Sequence, residues 1–259
     1  FNSDTVQGFA QYLIAGGNNP NSVNTKLTAL ASLAKYGMRA KDHRGKYVLA
    51  DNPLLRIERP QRQRKERRFL YGPELQALLA ADCSPAEHLA IHIFVETGMR
   101  VSALAGANVE DLQDANGVFV ILIVPKGRGR QTERVPKPVS AETAGKLVTY
   151  LRMREAGPKE PLLVNANGDR YLRTVLSSAI ARVARRAGIT RFQVRAHALR
   201  HTVNVVARVA ADLDGPQRGG MLDQTDINSV TKYDHLLPSE AEASFERLRA
   251  GLRRYADGA

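Results

Sequence analysis

The sequence has no tryptophan, one cysteine and few aromatic residues, 6% of 259. A single cysteine, Cys83, excludes an internal disulfide framework. It has no Cys or His partner at zinc spacing and reads as a small core residue. No apolar run approaches the ~18 residues that a membrane helix requires. The first residues lack the charged-then-apolar pattern of an export signal, so the expected place is the cytoplasm. Acidic residues are also short: 26 Asp and Glu stand against 38 Lys and Arg, a net charge of +12. That surplus calls for a polyanionic partner, nucleic acid or an anionic membrane surface, and without an apolar span the nucleic acid is the stronger expectation. The chain starts at Phe1 rather than Met, which suggests trimming or truncation.

What is present fits a soluble globular chain, with 43% hydrophobic and 25% charged residues. Residues 4–15 and 22–36 read as helices split by Gly16-Gly17-Asn18-Asn19-Pro20. In the second, Val23, Leu27, Leu30 and Ala34 share a face, with Asn21 or Ser22 as cap. The ten residues from Arg59 to Arg68 hold six basic residues and one acidic. Lacking an apolar period, they read as a linker (59–68) between a helical domain at 1–58 and a larger one at 69–259. A solvated loop is the blander alternative, but the missing acids favour phosphate contact. Past the linker a short helix starts at Gly72, and an apolar one covers Pro85 to Thr97. Val118–Val124 reads as a buried strand, paired through a basic turn with a second strand near Glu133–Pro136. Helices are expected at 140–155, 173–187 and 197–211. A tail helix follows, with Ala241, Phe245, Leu248, Leu252 and Tyr255 on one stripe.

Four segments carry candidate chemistry: Thr97-Gly98-Met99-Arg100, Pro125-Lys126-Gly127-Arg128, His197-Ala198-Leu199-Arg200-His201 and Lys232-Tyr233-Asp234-His235. Singly each has an ordinary reading. Arg100 could cap a helix end, Lys126 could face solvent, and His197 with Arg200 could be a packing pair. Tyr233 could be a half-buried core residue, and Tyr150, Tyr171 and Tyr255 are rivals for any tyrosine role. Together they suit strand breakage that conserves bond energy in a covalent protein–phosphate link. Tyrosine attacks phosphorus, two guanidiniums fork toward the charged oxygens, and a lysine protonates the leaving oxygen. A histidine assists a phenol whose own pKa is near 10. This chemistry needs neither metal nor cofactor.

In this order the motifs resemble the tyrosine site-specific recombinases, or phage integrase family, over nearly the whole chain. Most specific are Thr97 to Leu104, His197 to Thr202 and the late Tyr233. The resemblance implies Arg100 and Arg200 as catalytic arginines, Lys126 as hairpin lysine, His197 as partner of Arg200, and Tyr233 as nucleophile forming a 3′-phosphotyrosine. It implies a mainly α fold with a small antiparallel β-sheet: a helical core-binding domain, then the catalytic domain. The two would clamp double-stranded DNA, with contacts from Asn24, Lys26, Arg62, Arg64, Lys65, Arg67, Arg68, Arg128 and Arg130. The first core-binding helix would be missing before Phe1. A homo-tetramer on two DNA sites, each copy lending its C-terminal helix to a neighbour, is further implied. Accessory DNA-bending proteins and a nucleoid-associated location are expected as well.

Two residues depart from the pattern. Gln224 stands where the family has His or Trp, and can donate to phosphate but not carry charge. Ala103 replaces a supporting acid. These changes keep open a catalytically silent DNA-binding protein on the same scaffold; a topoisomerase or resolvase would use the same residues.

Overall fold

The computed structural model describes residues 2–62, 68–124, 134–222 and 238–258, the side chains of 216 and 238–243 excepted. The chain forms two compact units, 1–66 and 67–259.

In the first unit, α1 (Ser3–Ala15) is capped by Asn2, whose side chain accepts from the Thr5 amide. Helix α2 (Pro20–Gly37) begins earlier than the apolar period suggested. Asn19, rather than Asn21 or Ser22, is its cap, and Pro20 is its first residue. Proline fits there because the first-turn amide it lacks has no helical acceptor anyway. Val6, Ala10, Leu13, Val23, Leu27, Ala34 and Leu54 form the core of this unit, with Leu30 partly buried against it.

The expected DNA contact Asn24 needs correction. It is 3% exposed, and its Nδ2 donates to Pro20 O at 3.0 Å and Pro60 O at 2.7 Å. Both hydrogens of its Nδ2 are committed to carbonyls, pinning the start of the basic segment onto α2, so the donor expected to meet a phosphate is already engaged. Lys26 stays on the exposed surface, with Nζ on Asn18 Oδ1 at 2.9 Å.

The second unit begins with α3 (Gly72–Leu79), α4 (Pro85–Thr97) and α5 (Val101–Gly106). Strands β1 (Leu112–Ala115), β2 (Val118–Ile123) and β3 (Val135–Pro138) make an antiparallel sheet in that order. Then come α6 (Ala141–Met153), α7 (Arg173–Arg186), α8 (Ala196–Val209), α9 (Gly215–Met221) and α10 (Pro238–Ala256). The apolar α4 starts at a reciprocal cap, Ser84 with Glu87, and is buried on most of its circumference. It packs against α6, α7 and α8, so this central helix sets the position of both motifs that flank it.

The tail helix carries its apolar stripe into the unit it belongs to. Phe245, Leu248 and Leu252 lie in the core of their own unit, and α10 packs on α8, α3 and α4. Tyr255 Oη donates to Leu70 O at 3.0 Å. A Cβ on Gly72 would stand 1.9 Å from Tyr255 O, so only glycine admits this approach. In the single chain, Phe245, Leu248, Leu252 and Tyr255 of the stripe are covered by their own unit.

Where α4 faces α6, the His88 and His92 rings lie 4.3 Å apart. Burial first, then the charges of His88 and Lys146, drive His92 from 6.5 to about 4. The unfolded chain therefore takes up this proton near pH 6.5 and the folded chain only near 4. Above pH 6.5 both states are neutral and nothing is lost; on acidification through the window, folding should lose no more than about 3 kcal/mol. Replacing His92 by leucine should flatten the acid limb of stability against pH, read from denaturant midpoints. An unchanged limb would show that other groups govern it.

Candidate active site

The Thr-Gly-Met-Arg motif is a helix ending built to place an arginine. Thr97 Oγ1 donates to Ile93 O at 2.6 Å and accepts from the Met99 amide at 3.2 Å. Gly98 ends α4 in the left-handed region at φ 60°. A Cβ there would sit 2.4 Å from Leu222 Cδ2 and 3.1 Å from Val203 Cγ1, so the position suits glycine on both counts. Met99 is buried, and the chain emerges with Arg100 capping α5.

On α8, His197 and Arg200 lie one turn apart but in different surroundings. His197 is exposed; Arg200 is only 6% exposed. The Arg200 guanidinium donates to Gly98 O at 2.6 Å and also to Leu222 O. One side chain thereby ties α8 to the end of α4 and to the residue after α9. Partial burial, then the charges of Arg200 and Arg100, hold His197 below its ordinary value. The Arg200–Gly98 bond brings the N-terminal turn of α8, with His197 and Arg200, to the end of α4, two residues before Arg100. The His201 ring stacks edge-on to His197 at 4.3 Å, and Thr202 Oγ1 accepts from the Leu70 amide at 2.9 Å.

A residue that sequence reasoning passed over adjoins this cluster. Lys137 in β3 is fully buried, and its Nζ donates to Met221 O at 2.6 Å. Its register partner is the buried Ile121 of β2. The only sequence signal was a lysine between two prolines, Pro136 and Pro138, which reads as surface.

Several candidates fall outside the described residues: Lys126, Arg128 and Arg130 in 125–133, Gln224 and Tyr233 in 223–237, and Arg64, Lys65 and Arg67 in 63–67. Arg62 and Arg68 are exposed. The rival tyrosines all have structural settings. Tyr150 Oη accepts from the Val164 amide at 3.2 Å, Tyr255 donates to Leu70 O, and Tyr171 is buried, which raises its phenol pKa. Ala103 in α5 leans on the core with no acid in its place. Among the described residues, no group of three or more His, Cys, Asp or Glu is placed to hold a metal ion. No described helix is long and apolar enough to cross a membrane.

Residues 68–240 match the model of the phage integrase family. The tyrosine recombinase XerC of Bacillus subtilis is 26% identical over 235 residues, covering 85% of this chain and 72% of its own. Among solved structures, the XerH site-specific recombinase bound to palindromic difH substrate in a post-cleavage complex aligns over 99% of this chain and 70% of its own. Its TM-score is 0.65 at 22% identity. The Tn1549 transposon integrase in complex with transposon right end DNA aligns over 96% of this chain and 86% of its own, with a TM-score of 0.67 at 17% identity. The fold is shared with both solved structures. The chain therefore belongs to the phage integrase family and is a site-specific tyrosine recombinase.

Proposed function

We propose that Tyr233 is the nucleophile and that the chain cleaves and rejoins DNA through a 3′-phosphotyrosine. The tyrosine oxygen attacks phosphorus, the bond from phosphorus to the 5′ oxygen breaks, and the strand leaves with a free 5′-hydroxyl. The phosphate ester is conserved throughout, so rejoining is the same step in reverse and needs no high-energy cofactor. The single observation that carries this reading is the convergence of Arg100, His197 and Arg200 at the end of α4.

Each group has a task suited to its chemistry. Arg100 and Arg200 stabilise the negative charge that builds on the non-bridging oxygens. His197, held neutral at pH 7 by partial burial and two neighbouring cations, can accept the tyrosine proton. Lys126 protonates the leaving 5′ oxygen. Gln224 contributes a neutral hydrogen bond in place of a charged one. DNA is the partner, and the basic segment 59–68 supplies cations for its phosphates. Lys26, Arg62, Arg64, Lys65, Arg67, Arg68, Arg128 and Arg130 make the backbone contacts. The DNA complexes of the XerH and Tn1549 proteins support that choice of partner. Assembly into a tetramer on two sites, with or without DNA-bending proteins, completes the reaction.

Tyr233→Phe removes one hydroxyl, so DNA binding should persist while covalent adducts on a nicked suicide substrate disappear. Arg100→Ala and Arg200→Ala should each slow single-turnover cleavage on the order of 10²-fold or more. Adducts at normal levels in the phenylalanine variant would overturn the nucleophile assignment. A wild-type protein that binds DNA but traps no adduct would instead favour the silent scaffold that Gln224 and Ala103 left open.

Neutralising Arg62, Arg64, Lys65, Arg67 and Arg68 should weaken binding to all DNA sequences alike. The plot of log affinity against log salt should flatten by about one unit for each phosphate contact removed. An unchanged slope would return the segment to a solvated loop.

A further inference from the structure

Lys137 is a charge that the reaction above does not use. It lies in β3 and is 1% exposed. Burying an ammonium forfeits its hydration unless strong acceptors replace water, and an apolar residue of similar volume often does as well or better for stability. The acceptor at hand is Met221 O, in a short charge-assisted bond of 2.6 Å. Met221 is the last residue of α9, where carbonyls lack helical partners and carry the negative end of the helix dipole. The next carbonyl, Leu222 O, accepts from Arg200. An ammonium from the sheet and a guanidinium from α8 thus grip two consecutive carbonyls. Directly after them the chain enters 223–237, which contains Gln224 and Tyr233.

The other end of the lysine matters equally. Its strand pairs with β2, Lys137 opposite Ile121, and these strands are the stem of the connection that contains Lys126. One bond spanning 84 residues of sequence joins that stem to the root of the nucleophile segment.

We infer that Lys137 is a positioning residue for strand cleavage: it holds the root of the Tyr233 segment against the stem of the Lys126 hairpin. This role rests on the reading of Tyr233 as nucleophile and Lys126 as acid. In-line displacement requires the attacking and leaving oxygens on opposite sides of one phosphorus, so the two segments must be fixed relative to each other. Arg200 grips the same root but is also assigned to the phosphate; Lys137, sunk beneath the surface, acts through the backbone it holds.

The test uses the full chain, with wild type and Tyr233→Phe as references and Lys137→Met and Lys137→Arg as variants. Single-site binding, thermal melting and single-turnover cleavage of a nicked suicide substrate are measured for each. Lys137→Met fills the space without donating. It should bind DNA within about twofold of wild type yet cleave roughly ten- to a hundredfold more slowly. Lys137→Arg, which still donates to a carbonyl, should recover most of the rate. A substrate with sulfur in place of the bridging 5′ oxygen has a leaving group that needs no protonation. It should speed Lys126→Ala but not Lys137→Met. Wild-type cleavage in Lys137→Met would overturn the inference, as would relief of its defect by sulfur, which would make Lys137 the proton donor. Collapse of melting and binding in both variants would reduce the bond to a support of the fold. A wild-type protein that traps no adduct overturns the nucleophile assignment, and the positioning role with it.

Discussion

The buried guanidinium of Arg200, donating to Gly98 O and Leu222 O, is the joint on which the catalytic unit depends. Arginine remains charged at any ordinary pH, so once buried it must be met by acceptors in fixed directions. The left-handed turn at Gly98 presents one carbonyl, and the end of α9 presents the other. Each acceptor belongs to a segment that leads into the site: Gly98 precedes Arg100, and Leu222 precedes the stretch with Tyr233. The side chain assigned to the phosphate therefore also organises the backbone of the other participants. Such preorganisation is what electrostatic catalysis requires, because groups already in place need not be reoriented as charge develops.

The same constraint explains the glycine in the motif. A side chain at Gly98 would suffer the strain of φ 60° and would press into Leu222, displacing one acceptor of the guanidinium through the other. Thr97 reinforces the turn by bonding backward to Ile93 O and accepting from Met99. Of the four residues, only Arg100 faces the reaction. The other three are local chemistry that ends one helix and starts the next, and that is why so short a string is informative.

The helices and their buried faces were legible because their periodicity is strong: Pro85–Thr97 was marked at both ends by Ser84 and Gly98. Of the residue types that the sequence offered for the site, Arg100, His197 and Arg200 come together at the end of α4, and Lys126, Gln224 and Tyr233 lie outside the described residues. What escaped were elements with little apolar content. Strand β1 is Leu-Gln-Asp-Ala, and only the Asn116-Gly117 turn beyond it, with both residues at positive φ, announces a hairpin. Helices α5 and α9 are six and seven residues long, too short for a period to show. Asn24 looked available because polarity on a helix suggests a surface, yet a neighbouring carbonyl at Pro60 made it an interior clamp. The tail stripe on α10 marked a face that needs covering without saying by what. Its intramolecular cover depends on Gly72 and Leu70, far away in sequence.

The cations of the second unit meet carboxylates, main-chain carbonyls or both. Arg191 forks onto Glu74, and Arg182 and Arg186 lean on Glu87, so these charges meet carboxylates and serve as braces. The bonds of Arg200 and Lys137 include donations to main-chain carbonyls, Gly98 O and Leu222 O for the one and Met221 O for the other. The difference has an electrostatic consequence. A carboxylate cancels a cation's field at a distance and repels an approaching phosphate, whereas a carbonyl dipole fixes the cation's direction and leaves its net charge in place. Carbonyls at a helix end suit this use because they lack helical partners and already favour positive charge. Two cations near one helix end would repel each other in an empty site, a cost partly offset by those carbonyls and by the anion that the site receives. The positive surplus of the chain is thus spread over exposed segments where it can steer DNA, while the carbonyls that meet Arg200 and Lys137 fix the direction of two buried cations.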